Sequence, residues 1–377
     1  AVSLDRTDSP MVGLLNRASK ETFLTPKLPD ASISGRAGQV LDAASELVSK
    51  RREPTPVDVH FRDLHKLMED REIDRFMDKL RAVFNKLEEI SLAPNASEAS
   101  FNFTKGRFAG AGSDPIKALR VTSSRAPAYL KRWLDSLGDQ GWSAVVGGAK
   151  GFLNESWNRE VYSVFQRTLA NSFPFASNSN NDSALSDFAE FFKPGGIEDQ
   201  FVAANLRPFI NSKWQQKAVD GRTLGLSANA LKQLRQAQAI RQVFFSKGED
   251  PSISFVVRPG TLDNTVRRLD FEVGSQRLRY THGPRLRKSM TWPDIETGAR
   301  IVFEDLNGTV RQQEFNGDWG FFRLLESNRV SRGNGSRSFN LSINVERRKA
   351  NIEITASSTS NPFIRGWIKQ YDCPPRL

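Results

Sequence analysis

At Ser246–Ser252, in the stretch SKGEDPS, the spacing of apolar residues changes. Before it they recur every three or four positions; after it they alternate. The first period belongs to a helix with one buried face, the second to a strand with one buried face. No single regular element satisfies both. The chain is therefore expected to be α+β in two parts: an N-terminal all-helical region, then a C-terminal β-rich domain, antiparallel and sandwich-like, with one short helix. Pattern and composition divide it further into a helical region over residues 1–112, a helical domain over 113–248 and a β-rich domain over 251–377.

Within the first two thirds, Ser9-Pro10 supplies a cap and a first-turn proline ahead of MVGLLNRASKETFL. Thr25–Gly38, rich in Pro, Gly and Ser, reads as a linker, with two or three more helices after it. The clearest helix is expected from about Arg71 to Ile90. There Ile73, Phe76, Met77, Leu80, Val83, Phe84, Leu87 and Ile90 form one wide apolar stripe. Leu92–Asp114 is rich in Asn, Ser and Gly and reads as an extended loop or an inter-lobe crossing. Helical spacing resumes from Ala126 to Ala170 and includes Gly147-Gly148. Each glycine costs a helix about 1 kcal/mol relative to Ala, so the pair marks a kink or a close helix crossing. In the polar loop Ala176–Ser183, Asp182 and Ser183 are expected to cap the helix ALSDFAEFF, which Lys193-Pro194-Gly195-Gly196 ends. Ser227 caps the last strong helix, which reaches Phe245.

Beyond residue 250, alternation picks out Ile253, Phe255 and Val257, then Leu269, Phe271 and Val273. It does the same for Phe339, Leu341, Ile343 and Val345, and for Ile352 and Ile354. These are half-buried antiparallel strands. Asp318–Ser327 reads as the short helix. The tail after Trp367 has no strand pattern and is expected to fray unless docked.

Several chemistries find no support in the residues. The single cysteine, Cys373, cannot close a disulfide within the chain. His60 and His65 are five apart rather than the four that would align two imidazoles on a helix, so no metal is expected there. Phosphate-loop, dinucleotide and nucleophile-elbow patterns are missing. Asp187 and Glu190 share one face of a short helix, whereas a glycosidase needs two carboxyls about 5–9.5 Å apart across a cleft. We therefore expect no enzyme, no catalytic residue and no cofactor. No run approaches the ~18 apolar residues of a membrane span, and the opening AVSLDRTDSP lacks the pattern of a signal peptide. A soluble piece cut from something larger is the expectation.

The net charge is +11, and 20 basic residues against 13 acidic ones lie beyond residue 250. Such a balance speaks to partners and solubility, not to fold. The densest basic stretch is RLRYTHGPRLRKSMTWPD, Arg277–Asp294; NVERRKANIE, Asn344–Glu353, is second. Neither matches a nucleic-acid-binding module. In the first, Leu278, Tyr280, Met290 and Trp292 are expected inward, with Leu286 on the parity of the latter two. Arg277, Arg279, Arg285 and Arg287 are expected outward on a hairpin that turns at HGP, and are the candidate partner-binding residues. Like charges on paired strands repel, so acidic groups of the chain or of a partner must relieve them. Lys288 falls on the apolar parity, which places a sheet edge or bulge there, and His282 is given a structural hydrogen bond.

Longer runs carry a resemblance. Phe173–Ile210, Gly225–Phe245, Leu278–Pro293, Gly317–Leu325, Asn361–Phe363 and the ending CPPRL are similar, in order and spacing, to the TssM/IcmF family of type VI secretion systems. The likeness spans about residues 150–377 and is loose before them. It implies a fragment from the periplasmic region of a large inner-membrane protein in a Gram-negative envelope, a structural scaffold of the secretion membrane complex. It also implies a TssJ outer-membrane lipoprotein as partner, largely through the β-rich domain. TssL would join through the full-length protein, copies would self-associate in the assembled complex, and nucleic acid would have no part. The nucleotide-binding loop of some members belongs to their cytoplasmic part and is missing from this sequence, so no ATPase activity follows. The alternatives left by the residues are a basic nucleic-acid-binding protein and a periplasmic cell-wall hydrolase.

Overall fold

The computed structural model describes residues 10–24, 54–70 and 72–377. The linker expected at Thr25–Gly38 lies outside the described residues. The chain divides into two compact units, one ending at Ala149 and one running from Lys150 to Leu377.

The first unit is helical. Its elements are α1 (Pro10–Thr22), α2 (Pro56–His60), α3 (Arg62–Glu69), α4 (Glu72–Leu92), α5 (Ala96–Ala109), α6 (Pro115–Ser123) and most of α7 (Ala128–Trp157). The stripe foreseen on α4 is buried at Ile73, Phe76, Met77, Leu80, Val83 and Ile90. Helix α5 corrects the sequence reading, which made Leu92–Asp114 a loop. Asn95 caps it by accepting the Glu98 amide at 3.1 Å, and Gly110 ends it at φ +70°. Its buried face is Ser100, Phe101, Thr104 and Arg107, so the apolar period is nearly invisible. Arg107 is accommodated by lying 4.1 Å over the Trp142 ring and by an Nε bond to Asp114 at 2.7 Å.

Small residues on both helices, Ser100 of α5 and Gly148 of α7, let them come close. A Cβ at Gly148 would sit 2.7 Å from Ser100 Oγ and 3.0 Å from Ser100 Cβ, whereas one at Gly147 would meet nothing within 4 Å. The glycine pair thus marks a helix crossing, and α7 runs through it unbroken. Opposite outcomes are expected for two alanine substitutions measured by thermal or urea unfolding. Gly147→Ala stabilises by up to about 1 kcal/mol through helix propensity. Gly148→Ala destabilises by roughly 1–2 kcal/mol as α5 and α7 are forced apart.

The second unit begins in α7, passes a π-turn at Asn158–Tyr162, and continues through α8 (Ser163–Thr168), α9 (Leu185–Phe192), α10 (Ile197–Phe201) and α11 (Ala228–Phe244). Ser227 caps α11 by accepting the Ala230 amide at 3.0 Å. Nine strands follow: β1 (Ile253–Leu262), β2 (Val266–Val273), β3 (Gln276–Tyr280), β4 (Lys288–Trp292), β5 (Ala299–Asp305), β6 (Val310–Phe315), β7 (Arg329–Arg332), β8 (Ser338–Val345) and β9 (Arg348–Ala356). One helix, α12 (Gly320–Ser327), interrupts them. All pairings are antiparallel, in a five-stranded sheet β4-β1-β9-β8-β7 and a four-stranded sheet β3-β2-β5-β6. Every strand residue that alternation marked as inward is buried. At about 1.5–3 kcal/mol per large apolar side chain, that burial is the main source of the sheets' stability.

One aromatic cluster joins the helices of this unit to its sheets. Phe188 of α9 and Phe244 of α11 pack on Trp292 of β4 and on Trp319 and Phe322 around α12, with ring centroids 4.8–6.3 Å apart. Beside it the sequence reading needs a second correction. Helix α9 starts after Ala184 without a side-chain cap. Asp182 instead accepts the Trp319 amide at 3.2 Å and the Arg323 Nε at 3.0 Å, while Ser183 offers its carbonyl to the Trp319 indole at 2.8 Å. The would-be cap is a fastener for the β-rich part. The guanidinium of Arg323 also covers the Phe173 ring at 4.2 Å.

The tail does not fray. It returns to the helices, where Tyr371, Cys373 and Leu377 are buried. Four bonds hold it: Gln236 Nε2 to Trp367 O, Asp372 N to Gln233 Oε1, Trp157 Nε1 to Pro374 O, and Leu377 N to Asn154 Oδ1, all at 2.7–3.0 Å. Burial pushes the Cys373 thiol up to about 12, which makes it an unreactive core group.

Behind the tail lies Glu198 on α10, 1% exposed and bonded to Arg241 of α11. Arg241 also meets Asp199 at 3.2 Å. Burial raises the Glu198 carboxyl to about 7 from an ordinary 4.5, outweighing the pull of Arg241; Asp199 adds to the rise, and Tyr371 and Cys373 approach from the tail. The folded state then holds this proton more tightly than the unfolded state. Its contribution to stability is complete below about pH 4.5 and is lost as pH rises towards 7, by on the order of 3 kcal/mol. Glu198→Gln is expected to flatten that limb of the stability–pH curve in denaturant titrations.

Candidate interaction surface

Strand β3 follows a tight turn in which Gly274 has φ +57° and Ser275 donates its amide and hydroxyl to Asp294 Oδ2 at 2.7 and 2.6 Å. It pairs with β2 by placing Arg277 opposite Glu272, Leu278 opposite Phe271, and Arg279 opposite Asp270. Leu278 and Tyr280 are buried, and Arg277 and Arg279 are exposed. Register then sets a row of alternating sign across four strands: Arg277, Glu272, Arg300, Glu314. Glu272 accepts Arg277 Nε at 2.5 Å and Arg300 Nε at 2.8 Å. Asp270 accepts Arg279 Nε at 2.8 Å and meets Arg268 at 3.1 Å. At the end of the sheet Arg348 and Arg311 grip Asp305 and hold its carboxyl below the usual range. The wet face of this sheet is thus largely neutralised from within, as cross-strand pairing of opposite charges requires.

The other two candidates are placed differently. The sequence reading made Arg277–Tyr280 and Lys288–Trp292 the two arms of a hairpin; they do not pair, since β3 ends one sheet and β4 edges the other. Alternation fixes which residues face in, but not which strands pair, and both partners of β3 and β4 come from elsewhere. Thr281–Arg287 is the crossing between sheets, and every residue from 281 to 289 is exposed. His282 roots it, at φ +62° with Nε2 2.6 Å from the Val266 carbonyl oxygen. The Leu286 amide donates to Pro284 O at 2.9 Å, curling the tip. Arg285, Arg287 and Lys288 make no ion pair among the described residues. Between them Leu286 is 72% exposed, because the alternation of β4 starts only at Lys288. Lys288 pairs with Val257 at the sheet edge, where the sequence reading placed one.

A residue that sequence reasoning missed controls this edge. The Gln276 amide meets the backbone of Thr291 on β4, with Nε2 to the carbonyl oxygen at 2.6 Å and Oε1 accepting the Thr291 amide at 2.8 Å. A side chain thereby occupies the positions that another strand would take. A glutamine opening a strand gives no signal of this, since the partner lies in the other sheet.

The remaining sequence candidates do not assemble into a catalytic group. On α9, Glu190 is exposed and pairs with Lys193 at 3.4 Å, while Phe188, Phe191 and Phe192 take the buried side. His65 Nε2 lies 2.9 Å from the Thr22 hydroxyl, and His60 packs edge-on to Phe61. Among the described residues, no group of three His, Cys, Asp or Glu is placed to hold a metal ion, and no helix is long and apolar enough to cross a membrane. In the second basic stretch, Glu346 and Arg347 form the β8–β9 turn with φ +46° and +73°.

Comparison with known families places this architecture. Residues 148–250 match the helical domain of the type VI secretion protein IcmF, and residues 255–358 match its C2-like domain. The chain belongs to the TssM/IcmF family. A curated TssM relative, the type VI secretion system component TssM1 of Pseudomonas aeruginosa, is 26% identical over 400 residues, covering 98% of this chain and 36% of that protein. The chain therefore spans little more than a third of that relative's length. Among solved structures, a TssM C-terminal domain from EAEC is 22% identical with a TM-score of 0.56, covering 61% of this chain and 98% of its own. A chain of a type VI secretion system membrane core complex gives a TM-score of 0.72 at 19% identity, covering 96% of this chain and 78% of that one. A type VI membrane complex chain gives 0.71 at 19% identity, with 98% and 71% covered. The relatives of this TssM-family chain are components of type VI secretion membrane complexes, and the structural likeness is one of fold.

Removing the Gln276 amide tests its part in closing the edge. Gln276→Ala leaves the Thr291 backbone groups open, so stability is expected to fall by about 1–2 kcal/mol. Light scattering is expected to show concentration-dependent association beyond that of the parent.

Proposed function

We propose that this chain is a periplasmic portion of an inner-membrane TssM-type scaffold, and that its β-rich part docks a TssJ outer-membrane lipoprotein. The whole protein would meet TssL at the inner membrane and self-associate in the assembled complex. The observation that carries the reading is the family match over both the helical and the C2-like domain, in order, with relatives that are membrane-complex components. The three-part division into residues 1–112, 113–248 and 251–377 belongs to the same proposal. A scaffold needs no catalytic group. Glu190 is exposed and paired with Lys193, and Arg277, Arg279 and Arg300 are held in internal ion pairs, which weakens the hydrolase and nucleic-acid alternatives.

Of the four arginines, Arg285 and Arg287 are the ones available to an acidic partner surface, with Leu286 between them as an apolar anchor. Arg277 and Arg279 serve the fold. Calorimetry of the 377-residue chain with the soluble domain of TssJ tests this. Arg285→Glu with Arg287→Glu is expected to weaken binding at least tenfold and to reduce its salt dependence. Arg277→Glu with Arg279→Glu is expected to lower thermal stability instead. Parent protein that fails to bind, or binding indifferent to the Arg285/Arg287 pair, would refute the proposal.

A further inference from the structure

The loop after α10 is held more firmly than its exposure requires. Lys217 N donates to Phe209 O at 2.8 Å, and Asn211 N donates to Gln215 O at 2.9 Å. The Asn211 side-chain oxygen accepts the amides of Lys213 and Gln215 at 2.9 and 3.0 Å. Gln216 then clamps both backbone groups of Leu226, at 2.8 and 3.0 Å. These bonds keep Trp214 at φ +60°, a left-handed conformation that costs a bulky L-residue roughly 1–2 kcal/mol. A glycine would adopt it without strain. The indole is fixed in turn, its Nε1 donating to Gln238 Oε1 of α11 at 2.6 Å.

What this strained tryptophan does is wall a cavity of about 560 Å³. That is within the roughly 300–1,000 Å³ of small-ligand sites. Val202 and Ile210 add apolar surface to the indole, and Arg207, Lys217 and Arg241 bring positive charge. Arg241 is already answered by Glu198 and by Asp199, the one carboxylate among the described residues that lines the cavity. Arg207 and Lys217 are exposed and have no acidic partner among the described residues. The cavity therefore joins an aromatic wall to two uncommitted cations.

The geometry points to a binding site at Trp214 for a carboxylate carried on an aromatic or apolar body. The ring or side chain stacks on the indole, and the carboxylate is taken by Arg207 and Lys217. Two sources present this chemistry: an acidic residue beside an aromatic one in a polypeptide, and a small aromatic acid. The site lies outside the β-rich surface assigned to docking, and its occupancy stands or falls independently of that reading.

Titration calorimetry of the 377-residue chain tests it with three probes: phenylacetate, an N-acetyl-Glu-Phe-amide peptide and inorganic phosphate. Saturable binding is expected for the phenylacetate, the peptide or both, with phosphate at least tenfold weaker. Tighter binding of the peptide assigns the site to a polypeptide, and tighter binding of phenylacetate to a small acid. Arg207→Ala with Lys217→Ala is expected to weaken binding at least tenfold without moving the melting temperature. Trp214→Gly, which suits the backbone, is expected to fold and to lose binding. The proposal is overturned if neither organic probe binds, if phosphate binds as well, or if these variants bind like the parent.

Discussion

The second unit depends on one dry contact, the stacking of Phe188 and Phe244 against Trp292, Trp319 and Phe322. Aromatic pairs contribute about 0.5–1.5 kcal/mol each beyond the area they bury. Here they also decide topology. Trp292 closes β4, and its indole donates to Asp318 O at 2.7 Å, so the edge strand, α12 and the helices meet at a single point. The Asp182–Arg323 pair and the Trp319–Ser183 bond seal the rim of that contact. The helical and C2-like domains, distinct as family units, therefore share one core in this chain.

Electrostatics sorts the β-rich part into two kinds of surface. Where arginines lie on the paired strands of the four-stranded sheet, a neighbouring carboxylate meets each and the charge is consumed locally. Where they lie on the crossing between sheets, no strand runs alongside and no carboxylate is supplied. The same residue type is structural at positions 277 and 279 and available at 285 and 287. The difference comes from the sheet each residue adjoins, not from the local sequence.

That difference also explains what could be read from the sequence. Period-two spacing identified the buried residues of β1, the end of β2, β8 and β9, because alternation is a direct record of a one-sided strand. It could not show that β3 and β4 part company, since pairing depends on contacts far along the chain. Helix α5 was illegible because three of its four buried residues, Ser100, Thr104 and Arg107, are polar and leave Phe101 alone, with no apolar period. Asp182 followed by a helix looks like a cap in one dimension; only the fold brings Arg323 to it. The change of apolar period at Ser246–Ser252 supplied the order of the helical and β-rich parts, while the parting of Arg285 and Arg287 from Arg277 and Arg279 needed coordinates. Trp214 gave no warning at all, since a left-handed tryptophan is not encoded by any local propensity.

The return of the tail has a mechanical consequence. The β-rich part is tied to the helices by one covalent route, the segment after α11, and by the docked tail, whose hydrogen bonds and buried Tyr371, Cys373 and Leu377 hold it in the helical packing. A load applied to the sheets is therefore shared between two tethers and the aromatic contact, in parallel. Parting the two would require the tail to be drawn out of its groove at the same moment as the rings separate. Under such a load the second unit would yield as one body, not unravel from the docked tail.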